Sequence, residues 1–141
     1  MTELKQKILA KMKQPNLSTF ATVTEEGKPW VRYVVTMADD DLNVWFATFA
    51  ASRKVGQVAA NPEVHLTLGV TELETAASYV QVQGTAQILT DADTKKAIWY
   101  DHQANIFSGP EDPNYVVCKV TPYRIEFNTM TPGVGPEVWE A

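Results

Sequence analysis

Cysteine is nearly absent from this chain: Cys118 is the only one in 141 residues. No intrachain disulfide can form, and a reducing, cytoplasmic setting is the expectation. The two histidines, His65 and His102, lie far apart, so the usual zinc-ligand spacings are missing and no metal site is expected. Long hydrophobic runs are missing too. Every apolar stretch is broken within a few residues, short of the ~20 a membrane helix needs, so no membrane association is expected. The opening Met1-Thr2-Glu3-Leu4-Lys5-Gln6-Lys7 is too charged for a secretory signal. Positive charge is not in excess either. A net charge of −5 argues against a nucleic-acid partner, although one local anion pocket is compatible with it. No Gly-rich dinucleotide loop follows a strand. No serine stands with a histidine and an acid in a recognisable nucleophile setting, and Glu72, Glu74, Glu111 and Asp112 fall in loops without forming an acid–base pair. Hard chemistry in such a chain belongs to a cofactor rather than to side chains.

What is present suits one globular domain over residues 1–141, large enough to need no covalent staple. Leu4, Ile8, Leu9 and Met12 recur at helical spacing, with Thr2 as cap and Pro15-Asn16 as stop. From Leu17 the period becomes two. Strands are expected from Leu17 to Thr24, Trp30 to Ala38, Leu42 to Thr48, Val64 to Val70 and Tyr79 to Ile88. A further one covers Tyr115 to Met130, as a pair or as one strand bent at Pro122. A short helix capped by Ser52 is expected to end at Asn61-Pro62, and another, capped by Thr90, to run to about His102 with Ala97, Ile98 and Trp99 inward. Residues 103–114 read as a loop, and the tail beyond Thr131 as extended. The strand around Trp45 is apolar on both faces, as a strand covered on one side by a barrel interior and on the other by a partner or ligand would be. These patterns predict a mainly β, α+β fold: a six- to seven-stranded antiparallel barrel with flanking helices.

The chemistry-bearing feature is Ser52-Arg53-Lys54 at a helix start. Cations there oppose the positive end of the helix dipole, at ~0.3–1 kcal/mol each when exposed, and the first backbone N–H groups lack acceptors. A phosphate answers both, taking the backbone donors, the hydroxyl, a guanidinium and a lysine charge. Arg32 adds a third cation, mid-strand on the face of Trp30 and Val34. His65 reads as a partner-facing or solvated side chain, His102 as a surface residue, and Cys118 as a buried inert thiol.

The ordered pieces Arg32-Tyr33-Val34-Val35-Thr36-Met37, Phe46-Ala47-Thr48, Ser52-Arg53-Lys54 and Asn61-Pro62 resemble the FMN-binding split-barrel family related to pyridoxamine 5′-phosphate oxidase. Tyr79-Val80-Gln81-Val82-Gln83-Gly84 looks like that family's strand ending in glycine. Asp112-Pro113-Asn114-Tyr115 and Val120-Thr121-Pro122-Tyr123 are similar to its small general-stress-protein branch. The resemblance implies a split barrel, a homodimer with FMN at the interface, and a redox flavoprotein acting on an unidentified small substrate. It places Arg32, Tyr33, Val34, Val35 and Thr36 along the flavin ring, with Arg32 polarising or positioning it. Ala47 and Thr48 lie near the ring or ribityl chain, and Ser52, Arg53 and Lys54 at the phosphate. Tyr79 and Gln81 come from a strand contributing to the same site. Relatives of this fold also bind deazaflavin or haem, and a non-catalytic flavin-sequestering or stress-response role is the alternative to an enzyme. Met37 stands where the full-length oxidase has a substrate-binding lysine, and the C-terminal Arg- and Trp-bearing signature is missing. Both departures argue against pyridoxamine-phosphate oxidase activity itself. Trp139 lies in a tail that is packed or disordered, or else it approaches the flavin.

Overall fold

The computed structural model describes residues 1–141. In chain order the elements are α1 (Glu3–Met12), β1 (Asn16–Val23), β2 (Pro29–Ala38), β3 (Val44–Phe49), α2 (Arg53–Ala60), β4 (Glu63–Leu68), β5 (Ser78–Leu89), α3 (Ala92–Ile98), a 3₁₀ turn (Asp101–Asn105), β6 (Tyr115–Thr129) and β7 (Glu137–Glu140). The antiparallel strands run β3-β2-β1-β4-β5-β6-β7, and an additional pairing of β3 with β6 closes the first six into a barrel. This is the expected α+β split barrel. No helix is long and apolar enough to cross a membrane.

The period-two pattern fills the barrel. Phe20, Val44, Phe46, Leu66, Val80, Val82, Val120 and Ile125 are all buried in one core, and Phe20 meets Phe46 edge-on at 4.8 Å. α1 adds Ile8, Leu9 and Met12 from its apolar face, with the Thr2 hydroxyl capping Lys5 N–H at 3.1 Å. Full burial of such side chains is worth ~1.5–3 kcal/mol each.

β6 is one long bent strand, not two. Its start, Tyr115–Val120, pairs with β3, while Arg124–Phe127 pairs with β7. The bend lies opposite Gly84, where the β5–β6 register shifts. A Cβ on Gly84 would stand 2.6 Å from the Thr121 carbonyl oxygen, so only glycine allows the two strands this close.

Several local expectations are corrected. Leu42 belongs to the turn before β3, at φ 69°, although its side chain is fully buried. The outer face of β3 is covered mainly by the chain itself. Trp45 and Ala47 pack with Ile98 and Trp99 against a second cluster of Phe107, Tyr115 and Val117. Asp91, not Thr90, caps α3, accepting from Thr94 N–H at 3.0 Å. The helix stops at Ile98 because Trp99 and Tyr100 turn extended, which sets the Trp99 ring edge-on to Tyr115 at 5.5 Å. Residues 101–105 then form the 3₁₀ turn inside what reads in sequence as helix end and loop. The tail is ordered as β7: Trp139 lies opposite Ile125 and packs against the main core, which makes it a structural residue.

Candidate functional site

β2 is paired with β1 along Pro29–Thr36 but with β3 only at Met37 and Ala38. Along most of its length its second edge has no strand partner, so the barrel has an open seam. β3 leaves that seam to pair with β6 and runs, through the turn after Phe49, directly into α2. The chain geometry therefore brings an unpaired sheet edge and a helix N-terminus together.

Ser52 has the extended backbone of an N-cap, yet its side chain caps nothing, contrary to the sequence expectation. Its hydroxyl instead lies 3.2 Å from Thr48 Oγ1, and Thr48 Oγ1 accepts from Lys54 Nζ at 2.7 Å. The first-turn backbone donors of α2 are left without a side-chain acceptor, and no acidic residue stands in that turn.

Arg32 is held between β1 and α2. Its Nη1 donates to Thr22 Oγ1 at 2.8 Å and its Nη2 to Gln57 Oε1 at 2.9 Å, with the guanidinium carbon 5.9 Å from the Phe20 ring centre. No carboxylate pairs with it. Arg53 extends over Trp30, 5.8 Å from the ring centre. The chain's five ion pairs use Lys7, Lys13, Lys28 and Arg124; none involves Arg32, Arg53 or Lys54. Burial, and next Arg53, lower the proton affinity of Arg32; burial, and next Arg32, lower that of Lys54, with Cys118 acting the other way. Arg53 thus repels Arg32, and Arg32 repels Lys54; Arg32 and Lys54 are half-buried, Arg53 is exposed, and no carboxylate pairs with any of them. The donor set suits an anion carrying several oxygens: two guanidinium groups, an ammonium, a hydroxyl and helix N–H groups.

Beside these cations lies a cavity of about 210 Å³. Tyr33, Val34, Val35, Ala47, Thr48 and Lys54 line one side, all but Lys54 on the two strands flanking the seam. The 3₁₀ turn and the residues flanking it supply the other side through Tyr100, His102, Gln103 and Phe107. Sequence reading missed this second wall, because it carries no charge pattern and its aromatic spacing fits neither a helix nor a strand.

The structure gathers Arg32, Thr48, Ser52, Arg53 and Lys54, and puts Tyr33, Val34, Val35 and Ala47 next to them. Thr36 is 1% exposed and closed on Ser18 Oγ at 2.6 Å, so its side chain faces the interior. Arg32 likewise turns its guanidinium to Thr22 and Gln57 rather than along the seam. Tyr79 and Gln81 are not brought to the same cavity within one chain. Tyr79 shares an outer groove with Leu17, Tyr33 and Val70, while Gln81 lines a wholly polar one with His65, Gln83, Arg124 and Glu126. Tyr33 borders both the inner cavity and the apolar groove. Burial lowers the His65 pKa, partly opposed by Glu126. His102 stacks on Tyr100 at 6.2 Å. Cys118 is 1% exposed, and burial pushes its thiol up to about 12, as an inert core thiol requires.

Comparison with known proteins supplies the context. A family model described as pyridoxamine 5′-phosphate oxidase matches residues 4–129. The chain is 33% identical to General stress protein 26 of Bacillus subtilis (strain 168) over 123 residues, covering 87% of this chain and 86% of that protein. It is 31% identical over 121 residues to a pyridoxine/pyridoxamine 5′-phosphate oxidase of Cyanothece sp. (strain PCC 7425 / ATCC 29141). That match covers 78% of this chain but only 55% of the oxidase. The crystal structure of General Stress Protein 26 from Bacillus anthracis str. Sterne superposes with a TM-score of 0.84 at 28% identity, covering 99% of this chain and 100% of that one.

Proposed function

The chain belongs to the pyridoxamine 5′-phosphate oxidase family, and from that premise we propose that it is a homodimeric FMN-binding flavoprotein that works as an oxidoreductase on a small substrate. One observation carries this reading: Arg32, Arg53 and Lys54 lie together around the start of α2 with no carboxylate pairing any of them. Arg53, Lys54 and the α2 backbone donors would hold the FMN phosphate. Arg32, fixed by Thr22 and Gln57, adds positive field at that end rather than polarising the ring. The free β2 edge from Tyr33 to Thr36 would offer backbone groups to the flat heterocycle, with Val35 and Ala47 as its apolar bed. Tyr79 and Gln81 would reach the same flavin from the second subunit. When bound, FMN supplies hydride or electron transfer; the protein's part is to bind, orient and exclude water.

The experiment is a titration of FMN and of riboflavin against the native protein and the Arg53→Ala, Lys54→Ala double variant. Hydrogen bonds to charged groups are worth ~1.5–3 kcal/mol each, so the variant should lose about 100-fold or more for FMN and little for riboflavin. Purified protein without a flavin spectrum, together with a melting temperature that FMN leaves unchanged, would overturn the cofactor; a Soret band would replace it with haem. Equal loss for both ligands would overturn the phosphate assignment.

A further inference from the structure

Gln57 answers two donors with one atom. Its side-chain oxygen accepts from Thr22 Oγ1 at 2.5 Å and from Arg32 Nη2 at 2.9 Å, and Arg32 Nη1 donates to the same Thr22 hydroxyl at 2.8 Å. A guanidinium can only donate, so the atom facing it must be the amide oxygen. Both sides of this triangle are anchored: Thr22 is buried in β1, and Val58, next to Gln57 on α2, belongs to the core. Arg32 Nη1 has two further acceptors, the carbonyls of Trp30 at 3.2 Å and Phe20 at 3.3 Å. Every acceptor on this guanidinium is neutral.

For holding Arg32 alone, a glutamate at 57 would serve better, because a carboxylate of the same shape makes a charge-assisted bond about twice as strong. It would also cancel a charge. Arg53 stands one helical turn before Gln57 on the same face of α2, and its guanidinium lies over the ring of Trp30, whose carbonyl Arg32 binds. A carboxylate at 57 would thus be bonded to one of the cations around the α2 start and one turn from a second. We propose that Gln57 sets the charge selectivity of the anion site: by clamping Arg32 with a neutral carbonyl it leaves that positive charge uncancelled, and the site prefers a doubly charged phosphate monoester to a singly charged ester. The inference rests on the reading of Arg53, Lys54 and the α2 start as a phosphate site. FMN is such a monoester, its phosphate losing the second proton at about pH 6; the sulfate ester of the same shape carries one charge.

Fluorescence titrations of FMN, riboflavin 5′-sulfate and riboflavin at pH 8 test this on native protein, Gln57→Glu and Gln57→Met, with the melting temperature of each flavin-free protein alongside. Native protein should prefer FMN to the sulfate by about tenfold or more. Gln57→Glu should cut that ratio by about fivefold, change riboflavin little and melt no lower than native protein, a combination that a merely structural role does not give. Gln57→Met removes the acceptor without adding charge, so it should melt lower yet keep the ratio within about twofold. The assignment is overturned if native protein shows no preference, or if Gln57→Glu keeps the native ratio, melts below native protein, or weakens all three ligands alike. It is also overturned if Gln57→Met loses the preference as Gln57→Glu does. Phenyl phosphate and phenyl sulfate, titrated by calorimetry, repeat the comparison without a flavin. A Gln57-dependent preference between the phenyl esters in a protein that does not bind FMN removes the cofactor reading alone. Tight FMN binding with a ratio indifferent to Gln57→Glu removes the charge assignment alone.

Discussion

Burial and the neighbouring Arg32 guanidinium disfavour the charged form of Lys54 in the folded chain, where its pKa is lowered from 10.5. In the unfolded chain the amine keeps its ordinary proton affinity. Between the lowered folded value and 10.5 the unfolded state binds more protons, so this group makes stability rise with pH across that window. Urea denaturation of flavin-free protein from pH 8 to 10.5 should show native stability gaining on that of Lys54→Met as pH increases. Saturating FMN should flatten or reverse the trend, because a bound phosphate favours the ammonium. A native-minus-variant difference that falls with pH without ligand would contradict the crowded-cation picture. The same local logic explains Ser52. With Thr48 and Lys54 beside it, its hydroxyl joins the site's polar cluster and leaves the helix end uncapped. Serine before a helix is read from sequence as a cap because only the local chain is visible there.

At the scale of elements, β5 and β6 carry the barrel past its split, and their crossing depends on Gly84. Gly84→Ala would put a Cβ 2.6 Å from the Thr121 carbonyl oxygen and 2.9 Å from Val120 Cγ1. Neither backbone can yield without disturbing the longest pairing in the sheet. The substitution should destabilise by about 2–3 kcal/mol in equilibrium urea unfolding; a change under 0.5 kcal/mol would mean that the bend relaxes freely. α3 and the turn after it form the other decisive element. By packing Ile98, Trp99 and Phe107 on the outer face of β3, they cover the apolar side that in sequence looks like a partner-facing surface, and they build one wall of the cavity.

For the whole molecule the outer face of β1 and β2 matters most. Leu17 and Val35 are cross-strand neighbours there, 53% and 38% exposed, and Tyr33 is 71% exposed; Met130 lines the same groove. Exposed apolar patches of this kind mark interaction surfaces. A second copy placed on this face is the arrangement that would let Tyr79 and Gln81 act at a site centred on Lys54. Leu17→Arg lies outside the cation cluster. It should convert a dimer to a monomer in sedimentation velocity and weaken FMN at least tenfold. A native protein that sediments as a monomer at micromolar concentration would refute the shared site.

The sequence alone determined the barrel and its cation site because both are written in short-range patterns. Period-two alternation set the faces of Phe20, Val82 and Ile125, and charge at a helix start singled out Arg53 and Lys54. Helix ends and the 3₁₀ turn were less legible, since Trp99 leaves α3 for a contact with Tyr115, a residue distant in the chain. Only the tertiary structure decided that Arg32 is locked to Gln57 and that Trp139 is core packing. Each depends on which distant strand or turn arrives beside it, and barrel closure through β3 and β6 settles that where no local spacing can.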